Sequence, residues 1–195
     1  MSCGVCPWWF GFSIDNPLRR WIFRPDTLFA RWVRPGMTVL DVGCGMGVNA
    51  LSMARLVSPG GRVIAADIQP RMLQATASRA SREGFGEIVR THSCQPGALG
   101  MAGPVDFAVA FWMVHETPDP AVLFAQLRAC LAPGGRLLVA EPVFHVNRQF
   151  FDREMEAART AGLTLTGYPA IPMSRTALLV KPTQDVVRPA AFQAR

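Results

Sequence analysis

The run Val39-Leu40-Asp41-Val42-Gly43-Cys44-Gly45-Met46-Gly47 constrains the fold of this chain more than any other stretch. An apolar strand climbs to an acidic residue, a glycine-rich turn follows, and a helical pattern begins. Glycines admit positive φ and let a ligand approach with no Cβ in the way. The turn therefore brings bare backbone N–H groups and a helix N-terminus to one point. That point lies at the carboxyl end of a strand, where open α/β sheets bind ligands. A dinucleotide fold requires G-x-G-x-x-G, which would put the third glycine at position 48. That position is Val48. Asp41, two residues before the first glycine, would repel a pyrophosphate and suits a cationic group instead, such as the ammonium of an amino acid.

From residue 35 onward a device repeats. Pro35-Gly36, Pro59-Gly60-Gly61 and Pro133-Gly134-Gly135 each precede an apolar run, the second at 63–67 and the third at 137–141. Proline stops a preceding helix, and glycine supplies the left-handed turn into a strand. Strands apolar on both faces are those of a parallel sheet covered by helices. The spacing predicts helices over 46–57, 70–83 and 120–131, the last with Asp119 as N-cap and Pro120 at the first helical position. It also predicts strands at 87–90 and 105–111, a helix over 148–161 ending before Gly162, and strands at 163–168 and 176–180. The last two share a short turn containing Pro172 and should pair antiparallel.

Within 195 residues this is one α/β domain. Its expected limits are 35–181, with an N-terminal aromatic and basic cap at 1–34 and a tail at 182–195. The net charge of +6 comes from arginines spread along the chain, which is not the clustered footprint of a nucleic-acid binder. No apolar run reaches the roughly 18 residues of a membrane span, and no signal peptide is read at the start. Five cysteines, at 3, 6, 44, 94 and 130, are then expected to be reduced thiols of a cytoplasmic protein. Residues 1–34 hold Trp8, Trp9, Phe10, Phe12, Trp21 and Trp32, and two short helices are expected there, broken near Pro25. The segment reads as a packed helical cap, a lid over an apolar pocket, or an interfacial foot giving peripheral membrane contact.

The glycine run resembles motif I of the class I S-adenosylmethionine-dependent methyltransferases, D-x-G-x-G-x-G. The strand-helix alternation ending in a hairpin is similar to their Rossmann-like fold over residues 35–181. The resemblance implies a seven-stranded, mostly parallel sheet with an antiparallel last strand and helices on both faces. It implies S-adenosylmethionine as cofactor, held by Asp41, Gly43, Cys44, Gly45 and Gly47. Asp67 ends the second strand, where a carboxylate accepts both hydroxyls of a ribose; its alternative role is to cap the helix near Pro70. The resemblance places Ile68, Gln69 and Met72 along the adenosine, and Ala110 and Phe111 at the methionine part. Many family members carry an aspartate for the adenine amino group, but Thr91 to Pro96 contains no acid; Gln95 and the backbone of Cys94 stand there instead.

His115 and Glu116 are the acid–base candidates, since histidine can take a proton near neutral pH. A packed histidine capping a turn is the alternative for His115, and Glu141 and His145 are second candidates. The pattern is most similar to the ubiquinone/menaquinone C-methyltransferase-like group, so the expected activity is methyl transfer to a small or amphipathic acceptor. Two alternatives stay open: a soft-metalloid methyltransferase using Cys3, Cys6 and Cys94 as thiolates, and a non-catalytic module that binds the cofactor. The C-x-x-C pair alone is half of a zinc site, so no metal is expected.

Overall fold

The computed structural model describes residues 22–183. A seven-stranded sheet runs in the order β3-β2-β1-β4-β5-β7-β6. Its strands are β1 (Thr38–Val42), β2 (Arg62–Asp67), β3 (Val89–Ser93), β4 (Val105–Phe111), β5 (Leu131–Pro142), β6 (Thr164–Gly167) and β7 (Ser174–Val180). β1 pairs in parallel with both β2 and β4, and β4 pairs in parallel with β5. β7 alone runs against its neighbours β5 and β6. The antiparallel last strand follows from the short Pro172 turn, which cannot hold the crossover a parallel pair needs.

Alternation along the central strands feeds two cores. Leu40, Val42, Ala108, Ala110, Leu137 and Val139 face one side. There they meet Phe124 and Leu127 of one helix (Pro120–Cys130) and Phe151 and Ala158 of another (Arg148–Thr160). Val39, Val63, Ala65, Phe107, Val109, Leu138 and Ala140 face the other side, against Leu51 and Met53 of the helix Val48–Val57. In order of sequence the described α-helices are α1 (Pro25–Phe29), α2 (Val48–Val57), α3 (Pro70–Arg82), α4 (Pro120–Cys130) and α5 (Arg148–Thr160). Period-2 strands with both faces apolar thus force the three-layer arrangement. Asp119 caps α4 as expected, its Oδ1 accepting from the N–H groups of Ala121 and Val122, with Pro120 next.

Some boundaries move. α2 begins at Val48 rather than 46, because the glycine turn continues to Gly47 in a left-handed N-cap at φ 83°. The third strand is Val89–Ser93, not 87–90: Ile88 N–H bonds back to Phe85 O in a turn, and the strand is a half-exposed sheet edge without an apolar run. β5 starts at Leu131, so Pro133 and Gly134 lie inside it. The break expected near Pro25 falls at Arg24, which is left-handed at φ 42°. Of the N-terminal cap, Phe29 and Trp32 pack on Phe107. Trp8, Trp9, Phe10, Phe12, Trp21, Cys3 and Cys6 lie outside the described residues, as does most of the tail. Among the described residues no helix is long and apolar enough to cross a membrane.

Candidate active site

β1, β2 and β4 lie side by side, so the loops after them converge at one edge of the sheet. The turn after β1 is tied to β2, since Gly43 and Cys44 both donate backbone N–H to Ala66 O, at 2.9 and 3.0 Å. Gly45 donates its N–H to Asp67 Oδ2 at 2.9 Å, and its carbonyl accepts from Thr76 Oγ at 2.9 Å. α3 presses on the turn: a Cβ on Gly47, at φ +83°, would lie 2.8 Å from the Thr76 hydroxyl. A Cβ on Gly45, at φ +53°, would meet nothing within 4 Å, so this backbone faces open space.

That space is a cavity of about 530 Å³. Of the residues expected to bind or react, Gly43, Cys44, Gly45, Asp67, Ile68, Gln69, Met72, Cys94, Gln95, Phe111, His115 and Glu116 all line it. Asp41, Gly47 and Ala110 do not. Asp41 is 1% exposed within β1 and Ala110 is fully buried in β4, while Gly47 sits behind the turn at the head of α2. Asp67 is buried yet lines the cavity. Its Oδ1 accepts from Gln69 N–H at 2.9 Å, which leaves Gln69 as the N-cap of α3. A carboxylate offers about four lone-pair sites, and the backbone N–H groups of Gln69, Gly45 and Ile68 draw on them. Burial raises its pKa from the usual carboxylate range, while the backbone donors hold it down. Burial also pushes the Cys94 thiol up to about 11 and the Cys44 thiol well above its ordinary value, so both are neutral wall residues.

Beside Cys94, Gln126 of α4 holds the loop that closes this end. Its Oε1 accepts from Leu99 N–H at 2.5 Å and its Nε2 donates to Gly97 O at 2.9 Å. His92 Nε2 meets Leu99 O at 2.8 Å. Sequence reasoning missed Gln126, because a glutamine in a helix carries no sign of what it faces.

The opposite wall is built of side chains. His115 sits in a 3-10 turn (Val114–Glu116) after β4, with its side chain 11% exposed. Its Nδ1 hydrogen-bonds Glu141 Oε2, while Glu141 Oε1 accepts from Val114 N–H at 2.9 Å. Glu141, at the end of β5, is fully buried. Burial lowers the imidazole pKa, but the hydrogen bond and the charges of Glu141 and Glu116 outweigh it, so the net shift is upward. His145 stacks on His115 at 5.9 Å and 10°. Trp112, which sequence reasoning did not single out, holds a left-handed φ of 60°. Such a backbone costs about 1–3 kcal/mol and persists only where its surroundings fix it. Here Trp112 N–H bonds Ala140 O at 2.7 Å, and its indole N–H bonds Ser174 Oγ at 2.9 Å. Among the described residues no group of three His, Cys, Asp or Glu could hold a metal ion.

The arrangement offers hydroxyl-accepting and amide-donating groups on one side and a carboxylate-backed imidazole on the other. Comparison with known proteins points the same way. A family described as a methyltransferase domain matches residues 34–171. The ubiquinone biosynthesis O-methyltransferase of Xanthomonas axonopodis pv. citri is 31% identical over 134 residues, covering 68% of this chain and 55% of that protein. The nocamycin O-methyltransferase of Saccharothrix syringae is 37% identical over 111 residues, covering 56% of this chain and 39% of that one. The chain thus spans about half the length, or less, of these curated relatives. A crystal structure of an S-adenosylmethionine-dependent methyltransferase from Aquifex aeolicus superposes with a TM-score of 0.82 at 19% identity, covering 91% of this chain and all of that one.

Proposed function

The chain belongs to the class I S-adenosylmethionine-dependent methyltransferases, and we propose that it methylates a hydroxyl oxygen of a small acceptor with His115 as the base. S-Adenosylmethionine is the cofactor of this family, and the residues present fit it. The open face of Gly45 admits a ligand that a Cβ would displace, and Asp67 lines the cavity with acceptor capacity left for a ribose hydroxyl. When bound, the cofactor supplies a methyl group on a positively charged sulfur, and that bond breaks with its electron pair as the acceptor oxygen bonds the carbon.

The observation that carries the proposal is the His115–Glu141 pair on the cavity that the glycine turn also lines. Glu141 fixes the proton on Nδ1 and leaves Nε2 as the acceptor of a hydroxyl proton. The buried carboxylate then stabilises the imidazolium that results. A general base of this kind is required for an acceptor that must lose a proton. The O-methyltransferase names of both curated relatives support oxygen over carbon. No comparison supports the soft-metalloid alternative. Heat unfolding with S-adenosylhomocysteine or NAD tests the first half of this reading, because a ligand of the native state raises the melting temperature. Only the former should do so. Transfer of label from the cofactor to hydroxyl acceptors, abolished in His115→Ala, tests the second.

A further inference from the structure

The wall beyond His115 is aromatic in an unbroken series. Phe23 meets Phe111 at 5.5 Å and Trp112 at 5.2 Å, both edge to face. Trp112 meets Phe144 at 5.4 Å and 88°, and Phe144 meets His145 at 5.0 Å and 60°. His145 in turn stacks on His115. Three separate segments supply these rings: the residues before α1 (Phe23), the end of β4 with the turn after it (Phe111, Trp112, His115), and the loop after β5 (Phe144, His145), while Ser174 at the head of β7 accepts from the indole. Folding alone does not account for this assembly. Phe144 is 58% exposed although it lines the cavity, and a core-forming phenylalanine would be covered. The left-handed backbone of Trp112 adds an unfavourable conformation at the same place, and Ser174, itself bonded to Pro172 O at 3.1 Å, pins the indole.

We propose that the acceptor is a planar aromatic hydroxyl compound whose ring packs on Trp112, Phe144 and His145 with its hydroxyl toward His115. This rests on the methyl-transfer reading above. Rings meeting a bound ring at offset-stacked or edge-to-face angles gain attraction beyond area burial, which saturated rings do not. A phenolic hydroxyl is also more acidic than an alkyl one, near pKa 10, and so within reach of an imidazole base, about 6.5 unperturbed. Next to Phe144 in the chain, Val143 is exposed and apolar, and its N–H bonds the carbonyl of Met173, which is exposed and apolar as well.

The test uses the full chain loaded with S-adenosylhomocysteine and three probes: 2-naphthol, decahydro-2-naphthol, and 2-aminodecalin as a cationic counterpart. Ligand-observed NMR reads binding without turnover. 2-Naphthol should bind about tenfold or more tighter than its saturated analogue. Phe144→Ala should erase that preference and leave the melting temperature and the affinity for S-adenosylhomocysteine unchanged. Ser174→Ala, which frees the indole, should reduce the preference in part. With S-adenosylmethionine, labelled methyl should appear on the naphthol oxygen. Equal binding of the two alcohols, tighter binding of the amine, no binding of naphthol, or a preference that survives Phe144→Ala would each overturn the proposal. If S-adenosylhomocysteine itself fails to stabilise the protein, the methyl-transfer reading falls instead, so the two failures are distinguishable.

Discussion

On the β1–β2 side the cavity lining includes the backbone of one glycine turn and a single carboxylate, Asp67. On the β4–β5 side it includes the side chains of Trp112, His115, Phe144 and His145, with Glu141 behind them. The first half is compact in sequence, 24 residues separating Gly43 from Asp67, and is bonded to itself through Ala66, Thr76 and Gly45. The second half is gathered from residues 112 to 174. A backbone cradle can change its side chains and still hold the same cofactor. A side-chain wall changes its acceptor with every substitution. With the cofactor on the first half and the acceptor on the second, as proposed, the contrast would explain how one fold serves many acceptors with one methyl donor.

If the halves work separately, substitutions in one should leave the other intact. The largest effect belongs to His115→Ala, which should lower turnover by about 10²–10⁴-fold with cofactor affinity unchanged, read as kcat against Kd. Asp67→Asn keeps the shape but removes acceptor capacity and charge. It should weaken S-adenosylhomocysteine by roughly 10–100-fold, while the rate at saturating cofactor changes little. Glu141→Gln acts through His115. It should cost roughly tenfold in turnover and lower the imidazole pKa, which an NMR titration of His115 reads directly. In the parent protein the proposed base, His115, is neutral only above its raised pKa, so turnover should fall as pH drops through that value. In Glu141→Gln this limb should move to lower pH. A limb that stays in place would detach Glu141 from the base.

The smallest functional effect is expected at Glu154 of α5. Its carboxyl is buried, neither oxygen has a hydrogen-bond partner among the described residues, and burial together with the charge of Glu141 raises its pKa to about 8. The folded pKa lies above the ordinary 4.5, so the unfolded chain loses this proton first as pH rises. The stability present below 4.5 is therefore lost progressively up to about 8. Glu154→Gln does not titrate, so its melting temperature should lack this fall and exceed the parent's by a few °C, on the order of 1 kcal/mol or more, at pH above 8. Turnover should barely change. An identical pH slope in both proteins would place the titration elsewhere.

The same contrast governs what the sequence revealed. The glycine turn, Asp67, the apolar central strands and the antiparallel ending were legible because each rests on local spacing or on a turn too short for a crossover. β3 was misplaced because an edge strand needs no apolar run, and its residues are mostly exposed. Asp41 shows the limit of a motif: it stands where the pattern requires, yet it is buried below the turn rather than on the cavity wall. The pairing of His115 with Glu141 was out of reach, since 26 residues separate them and only the parallel register of β4 on β5 brings them together. No local rule makes a tryptophan left-handed, so Trp112 gave no sign of its place.

The most direct test of the division between a backbone-built cofactor half and a side-chain-built acceptor half is calorimetric titration of S-adenosylhomocysteine into the parent protein, Asp67→Asn and His115→Ala. The account predicts binding to the parent, affinity weakened by roughly 10–100-fold in Asp67→Asn, and no more than about a twofold change in His115→Ala. Equal losses in both variants, or an Asp67→Asn protein that binds as the parent does, would contradict it.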